Sequence, residues 1–116
     1  MSKDVLIVDD EVEIGVLMSG ILAAEGYLVE CATSWDQAAH MLEHHQFRTL
    51  FLDLNLGSRN GLSLLPLVRR LQGDMQVVVV SAHGGAEVQR RVREEGVDQF
   101  ILKPFSKSQL LEALKK

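Results

Sequence analysis

Short apolar runs alternate with stretches of helical spacing along the chain. Val5 to Val8 is the first run, and it ends in Asp9, Asp10 and Glu11. From Ile14 the period changes: Ile14, Leu17, Met18, Ile21 and Leu22 recur as on one face of a helix, and Gly26 closes the segment as a C-cap residue. Leu28 to Ala32 reads as a second strand. Ser34, with Gln37 three residues on, has the spacing of a capping box and starts a helix whose inner face carries Trp35, Ala38, Ala39 and Leu42. Thr49 to Leu52 is apolar without alternation, the mark of a strand buried on both faces, and it ends at Asp53.

A loop of turn formers follows, Gly57-Ser58-Arg59-Asn60-Gly61. The third helix presents Leu64, Leu65, Val68 and Leu71 but also contains Pro66. Proline is harmless only in a first turn, so Ser63 is expected near the N-cap, or a kink if the helix starts earlier. Gln76 to Val80 is the fourth strand, ending at Ser81-Ala82. Gly84-Gly85 leads into a charged fourth helix, Ala86 to Glu95, anchored by Val88 and Val92 and stopped by Gly96. Phe100 to Leu102 is the last strand, followed at once by Lys103-Pro104. A final helix after Ser106 turns Leu110, Leu111 and Leu114 inward.

Five strands alternating with five helices imply right-handed crossovers and an α/β fold, a parallel sheet covered on both faces. A length of 116 residues fits one domain, and a hydrophobic fraction of 47% is ordinary for a globular chain. The formal charge of -4 and a pI near 5.5 argue against binding to nucleic acid or an anionic membrane. No apolar run approaches the roughly 20 residues needed to span a bilayer. The start, Met-Ser-Lys-Asp-Val, runs directly into a strand and is not that of a signal peptide. Cys31 is the single cysteine, which excludes an internal disulfide, fits a reducing cytoplasm and reads as a buried structural thiol.

In a parallel sheet the carboxyl ends of all strands share one edge, where ligands of open α/β sheets bind. Asp9 and Asp10, Asp53, Ser81 and Lys103 all stand at such ends. The order 2-1-3-4-5 sets the first and third strands side by side and gathers three carboxylates. That grouping is unfavourable without a cation, and Mg²⁺ suits it, because this ion takes few carboxylates, keeps waters and accepts a phosphate. A lysine adds a point charge for phosphate and a serine adds a hydroxyl donor. Each residue also has a plainer reading: Asp53 as the start of a turn, Asp9-Asp10 as helix caps, Lys103 as a surface lysine.

Five motifs in register, Asp9-Asp10, Asp53-Leu54-Asn55-Leu56, Gly61-Leu62, Ser81-Ala82 and Lys103-Pro104-Phe105, make the whole chain resemble a response-regulator receiver domain of two-component signalling. The resemblance implies a flavodoxin-like doubly wound (βα)5 fold with its five-stranded parallel sheet in order 2-1-3-4-5. It implies a single receiver domain over residues 1–116. Asp53 would accept a phosphoryl group from a sensor histidine kinase or phosphotransfer protein. Asp10 would bind Mg²⁺ directly, Asp9 through water or from behind, and the Asn55 main-chain carbonyl would be a third ligand. Ser81 would receive the phosphoryl oxygen, Lys103 would pair with it and Phe100 would be the aromatic switch. The Lys103-Pro104 peptide would be cis.

So read, the protein is a cytoplasmic switch rather than an enzyme of turnover, assisting only its own phosphorylation and autodephosphorylation. Its output surface would be the fourth helix, fifth strand and fifth helix, which would meet a downstream effector, a fused output domain or a second copy in a phosphorylation-dependent homodimer. Two departures stand out: Gly57 lies where the family usually has proline, and Gly84-Gly85 follows the serine, so both loops are expected to be looser. Rival readings are a small-molecule enzyme or flavin carrier of similar fold, lacking evident binding loops here, and a degenerate receiver, from which one site residue would be missing. His40 and His44 have metal-ligand spacing but no third ligand nearby, and read as a solvated helix end. His83 either affects water access to the site or is only a loop residue. The run Gln89 to Glu95 is a solvated face or a partner surface.

Overall fold

A computed structural model of the chain describes residues 4–97 and 99–115. Five parallel strands form the sheet: β1 (Val5–Val8), β2 (Val29–Ala32), β3 (Thr49–Leu52), β4 (Gln76–Ser81) and β5 (Gln99–Leu102), in the order β2-β1-β3-β4-β5. They alternate with helices α1 (Val12–Ala24), α2 (Trp35–His44), α3 (Leu65–Leu71), α4 (Ala86–Glu94) and α5 (Lys107–Leu114). This is the expected doubly wound, flavodoxin-like fold.

Alternate residues of each strand point to opposite faces, so the sheet divides the core in two. On one face Leu6, Val8, Leu50, Leu52, Val77 and Val79 pack against Ala38 and Leu42 of α2, Val68 of α3 and Val92 of α4. On the other, Val5, Ile7, Phe51, Val78, Val80 and Ile101 pack against Met18 and Leu22 of α1 and Leu110 and Ala113 of α5. Every residue of β1 and β3 is buried, which explains their unbroken apolar runs. Leu17, though in the spacing of the α1 core residues, is 53% exposed beside exposed Val12 and Val16.

Local chemistry sets the helix ends. Gly26 (φ +93) and Gly96 (φ +83) take the left-handed conformation just past α1 and α4. Ser106 and Gln109 form a complete capping box on α5. Ser34 caps α2 by accepting from the Gln37 amide, while the Gln37 side chain reaches the Thr33 amide. The third helix starts where expected, with Leu64 beside Ser63 as its N-cap, though without a side-chain cap bond. A 3₁₀ turn over Gly61–Leu64 precedes it, and its cap is Asn60, whose side chain accepts from the Leu62 amide. Pro66 then falls in the first turn of α3, where its missing amide is harmless. Ser63 instead donates to the Asn60 carbonyl (2.6 Å) and accepts from the Trp35 indole (3.0 Å).

The loop after Asp53 is a small antiparallel hairpin, Asn55–Leu56 against Arg59–Asn60. Gly57 at its tip has φ +66, and no non-glycine residue among those described has positive φ. Positive φ at the first of two turn residues only is the type II′ geometry, which glycine permits and proline cannot adopt. Gly57 is thus part of a defined turn. Gly84 lies close to β5: a Cβ there would meet Leu102 Cδ1 at 2.7 Å and Phe100 Cε1 at 3.3 Å, both side-chain atoms that can shift. Gly85 has open space around it.

Candidate functional site

Register brings the polar residues together. Val8 pairs with Leu52 and Ser81 with Leu102, so Asp9, Asp53 and Lys103 each follow the end of a paired strand. Backbone bonds continue past the strands: the Asp53 amide donates to the Val8 carbonyl (2.9 Å) and the Lys103 amide to the Ser81 carbonyl (2.8 Å). Asp9, Asp53 and Ser81 are buried, while Asp10 is exposed.

Lys103 is the hub. Its ammonium donates to Asp9 Oδ2 at 2.8 Å and to Asp53 Oδ2 at 3.0 Å, and lies 3.4 Å from Glu11 Oε1. The remaining carboxylate oxygens are also held. Asp9 Oδ1 accepts from the Glu11 amide (2.9 Å), Asp53 Oδ1 from the Asn55 amide (3.1 Å), and Asp10 Oδ2 from the Gly57 amide (3.2 Å). Asp53 therefore does start a turn, and it faces a partly buried cation as well. The helix-cap reading fails for Asp10: the N-cap of α1 is Glu11, with no side-chain cap bond. Lys103-Pro104 is cis.

Burial raises the Asp53 pKa above 3.8, and the neighbouring Asp9 charge adds to this, against the lowering effect of the Asn55 amide and Lys103. For Lys103 burial acts against the charged form, but the hydrogen bonds and charges of Asp9 and Asp53 outweigh it and its pKa is raised. Oxygen ligands from Asp9, Asp10, Glu11 and Asp53 lie within 4.8 Å of one another. An all-oxygen donor set with more acids than its one lysine balances suits a hard divalent cation.

Ser81 ends β4, and its hydroxyl accepts from the His83 amide at 3.1 Å. Phe100 is half-buried against the core beneath α2, α3 and α4. His40 and His44 stack with ring centroids 4.2 Å apart, and the described residues place no third ligand with them. Cys31 is half-buried, lies 3.6 Å from the Gly15 carbonyl, and has its pKa raised by burial.

The sequence model of the response regulator receiver domain matches residues 5–115. The chain belongs to the response regulator receiver family. Nitrogen assimilation regulatory protein NtrX of Azorhizobium caulinodans is 39% identical over 113 residues, 96% of this receiver but 25% of that protein. The receiver thus spans about a quarter of the length of this curated relative. Among solved structures, a CheY-like receiver domain from Methanospirillum hungatei superposes with a TM-score of 0.90 at 30% identity, covering 99% of this chain and 92% of that one. A response regulator from Burkholderia pseudomallei, solved with a phosphorylated aspartic acid, calcium ion and citrate, gives 0.89 at 29% identity over 97% of this chain and 66% of the other.

Three features of the site were not read from the sequence. Glu11 reaches Lys103, although its place after Asp9-Asp10 was a visible signal. Gly57 bonds Asp10 across 47 positions, with no local signal. Gly61 underlies the acceptor: its amide donates to the Leu54 carbonyl (2.7 Å), and a Cβ there would lie 1.9 Å from the Asp53 carbonyl oxygen. Backbone cannot yield as a side-chain tip can. Gly61→Ala is expected to destabilise the fold by more than about 2 kcal/mol, the scale of an unrelieved overpacking clash. An unchanged urea midpoint would show that this contact does not fix the turn after Asp53.

Proposed function

We propose that residues 1–116 form one receiver domain that accepts a phosphoryl group on Asp53 from a histidine kinase or phosphotransfer protein. An Asp53 carboxylate oxygen bonds to phosphorus as the bond from phosphorus to the donor nitrogen breaks. The observation that carries this reading is a buried carboxylate at the end of the central strand, 3.0 Å from a partly buried lysine and grouped with three further acids. The phosphorylated aspartic acid in the Burkholderia regulator supports it by analogy.

Asp10, Asp53 and the Asn55 main-chain carbonyl would hold Mg²⁺, with Asp9 behind them. When bound, the ion offsets charge on the transferring oxygens. Lys103 pairs with the phosphoryl oxygen, moving from two carboxylates to the more highly charged group. Asp53 and Lys103 serve this one transfer and the later hydrolysis that passes the phosphoryl group to water and restores the carboxylate, so the protein is a phosphoacceptor and not an enzyme of turnover.

A bound group moves a distant surface only if one conformation interacts with it better. Ser81 supplies that difference by donating its hydroxyl to a phosphoryl oxygen, a charge-assisted bond worth ~1.5–3 kcal/mol. The loop it starts already touches β5, because Gly84 lies against Phe100 and Leu102. Phe100 carries no hydroxyl, so burial alone favours its inward state. The face of α4, β5 and α5 then changes and meets a downstream effector, a fused output domain or a second copy of the chain. Direct contact with nucleic acid or a membrane forms no part of the reading. The proposed location is cytoplasmic; among the described residues no helix is long and apolar enough to cross a membrane.

Beryllofluoride with Mg²⁺, which imitates the phosphoryl group, is expected to shift amide resonances from residue 81 through 86–110. Shifts confined to residues near Asp9, Asp10 and Asp53 would leave Ser81 and Phe100 without a switching role.

A further inference from the structure

The hairpin after Asp53 holds two carboxylates at once. Its first strand residue, Asn55, donates its amide to Asp53 Oδ1 (3.1 Å), and the glycine at its tip donates to Asp10 Oδ2 (3.2 Å). Asp10 is exposed, so its carboxylate would otherwise rotate freely. The outer side of the hairpin is braced against α2. The Arg59 guanidinium carbon sits 3.8 Å from the centre of the Trp35 ring, and an Arg59 nitrogen lies 3.5 Å from Asp36 Oδ1. The sequence requirement sits at one residue. Gly57 has φ +66, and no atom comes within 4 Å of a Cβ built there, so volume is unconstrained while backbone conformation and the free N–H are not.

We propose that Gly57 is a positioning residue for the cation site: its type II′ turn aims an amide at Asp10 and holds that carboxylate toward the metal. Metal-binding carboxylates depend on such outer hydrogen bonds, whose loss typically lowers affinity about 10–100-fold. The inference rests on the Mg²⁺ reading above. Proline at Gly57 would fail twice, since its φ is fixed near −65° and it has no N–H. Alanine keeps the N–H but resists positive φ.

Mg²⁺ titration of the full chain by calorimetry separates these cases, with folding followed by circular dichroism. Gly57→Pro is expected to bind Mg²⁺ at least about tenfold more weakly, and Gly57→Ala to fall between it and the parent. The parent protein gives a second readout that needs no variant at Gly57. Its Gly57 amide proton should exchange slowly with solvent, and Asp10→Asn should move it upfield and speed its exchange. If Gly57→Pro does not fold, this second readout decides. Parent-like affinity in folded Gly57→Pro, or a Gly57 amide indifferent to Asp10→Asn, overturns the positioning role and leaves Asp10 as a ligand. A parent protein that binds no Mg²⁺ overturns the cation reading itself, and this inference with it.

Discussion

Asp53→Asn is expected to take up no phosphoryl group from acetyl phosphate and Mg²⁺, while remaining folded. The amide has Asp53's shape but no nucleophilic carboxylate. Burial raises the pKa of Asp53 above 3.8, so folding favours its protonated form. The corresponding stability is present below about 3.8 and is lost as pH rises through the folded value. At neutral pH the ionised carboxylate therefore opposes folding, and the asparagine variant should be no less stable than the parent in urea. Only the ionised carboxylate attacks phosphorus, so the parent's phosphorylation should fall on acidification. Full modification of the variant, seen by intact mass, would remove Asp53 from the acceptor role.

Lys103→Met should have the second large effect, on stability as well as signalling. Its ammonium is 10% exposed and joins side chains of Asp9 and Asp53 that are 3% and 6% exposed. Removing one partner of a buried ion pair leaves the others uncompensated, and about 3 kcal/mol of stability should be lost at neutral pH without Mg²⁺. The sign with pH follows from the raised lysine pKa: its contribution is complete below 10.5 and is lost as pH rises through the folded value. The parent–variant gap should therefore persist through the neutral range. Mg²⁺ should narrow it, since the variant's uncompensated acids bind the cation more tightly than the parent's and therefore gain more stability from it. Urea unfolding at neutral pH with and without Mg²⁺ measures both effects. A variant as stable as the parent in Mg²⁺-free buffer would mean that solvent, not Lys103, balances these acids.

Much of this architecture is legible in the sequence, because a parallel α/β fold writes itself as buried runs separated by helical spacing. Thr49–Leu52 and Val5–Val8 read as buried strands since neither face meets water. The polar residues at their ends read as one group since all strands of a parallel sheet point the same way. Sequence spacing alone carries less about contacts between distant loops. The Gly57–Asp10 bond, the Gly61 approach to Asp53 and the Gly84 contact with Phe100 are glycine positions set by tertiary proximity, and the sequence shows only a turn former. The hairpin at 55–60 has two-residue strands, too short for any periodic signal. The third helix starts beside Ser63, as Pro66 in a first turn requires, but the four-residue 3₁₀ turn before it, capped by Asn60, is too short to leave a periodic signal. Leu17 carries helical spacing yet faces solvent, since α1 is apolar nearly all round.

The central claim is that Asp53 is a Mg²⁺-dependent phosphoryl acceptor. Its most direct test is the mass of the parent protein after incubation with acetyl phosphate, with the modified residue located by peptide mapping. With Mg²⁺ the mass should rise by one phosphoryl group carried on the peptide containing Asp53, and chelation of the metal should prevent it. A phosphoryl group found on a different residue, or no addition under any Mg²⁺ concentration, would contradict the account.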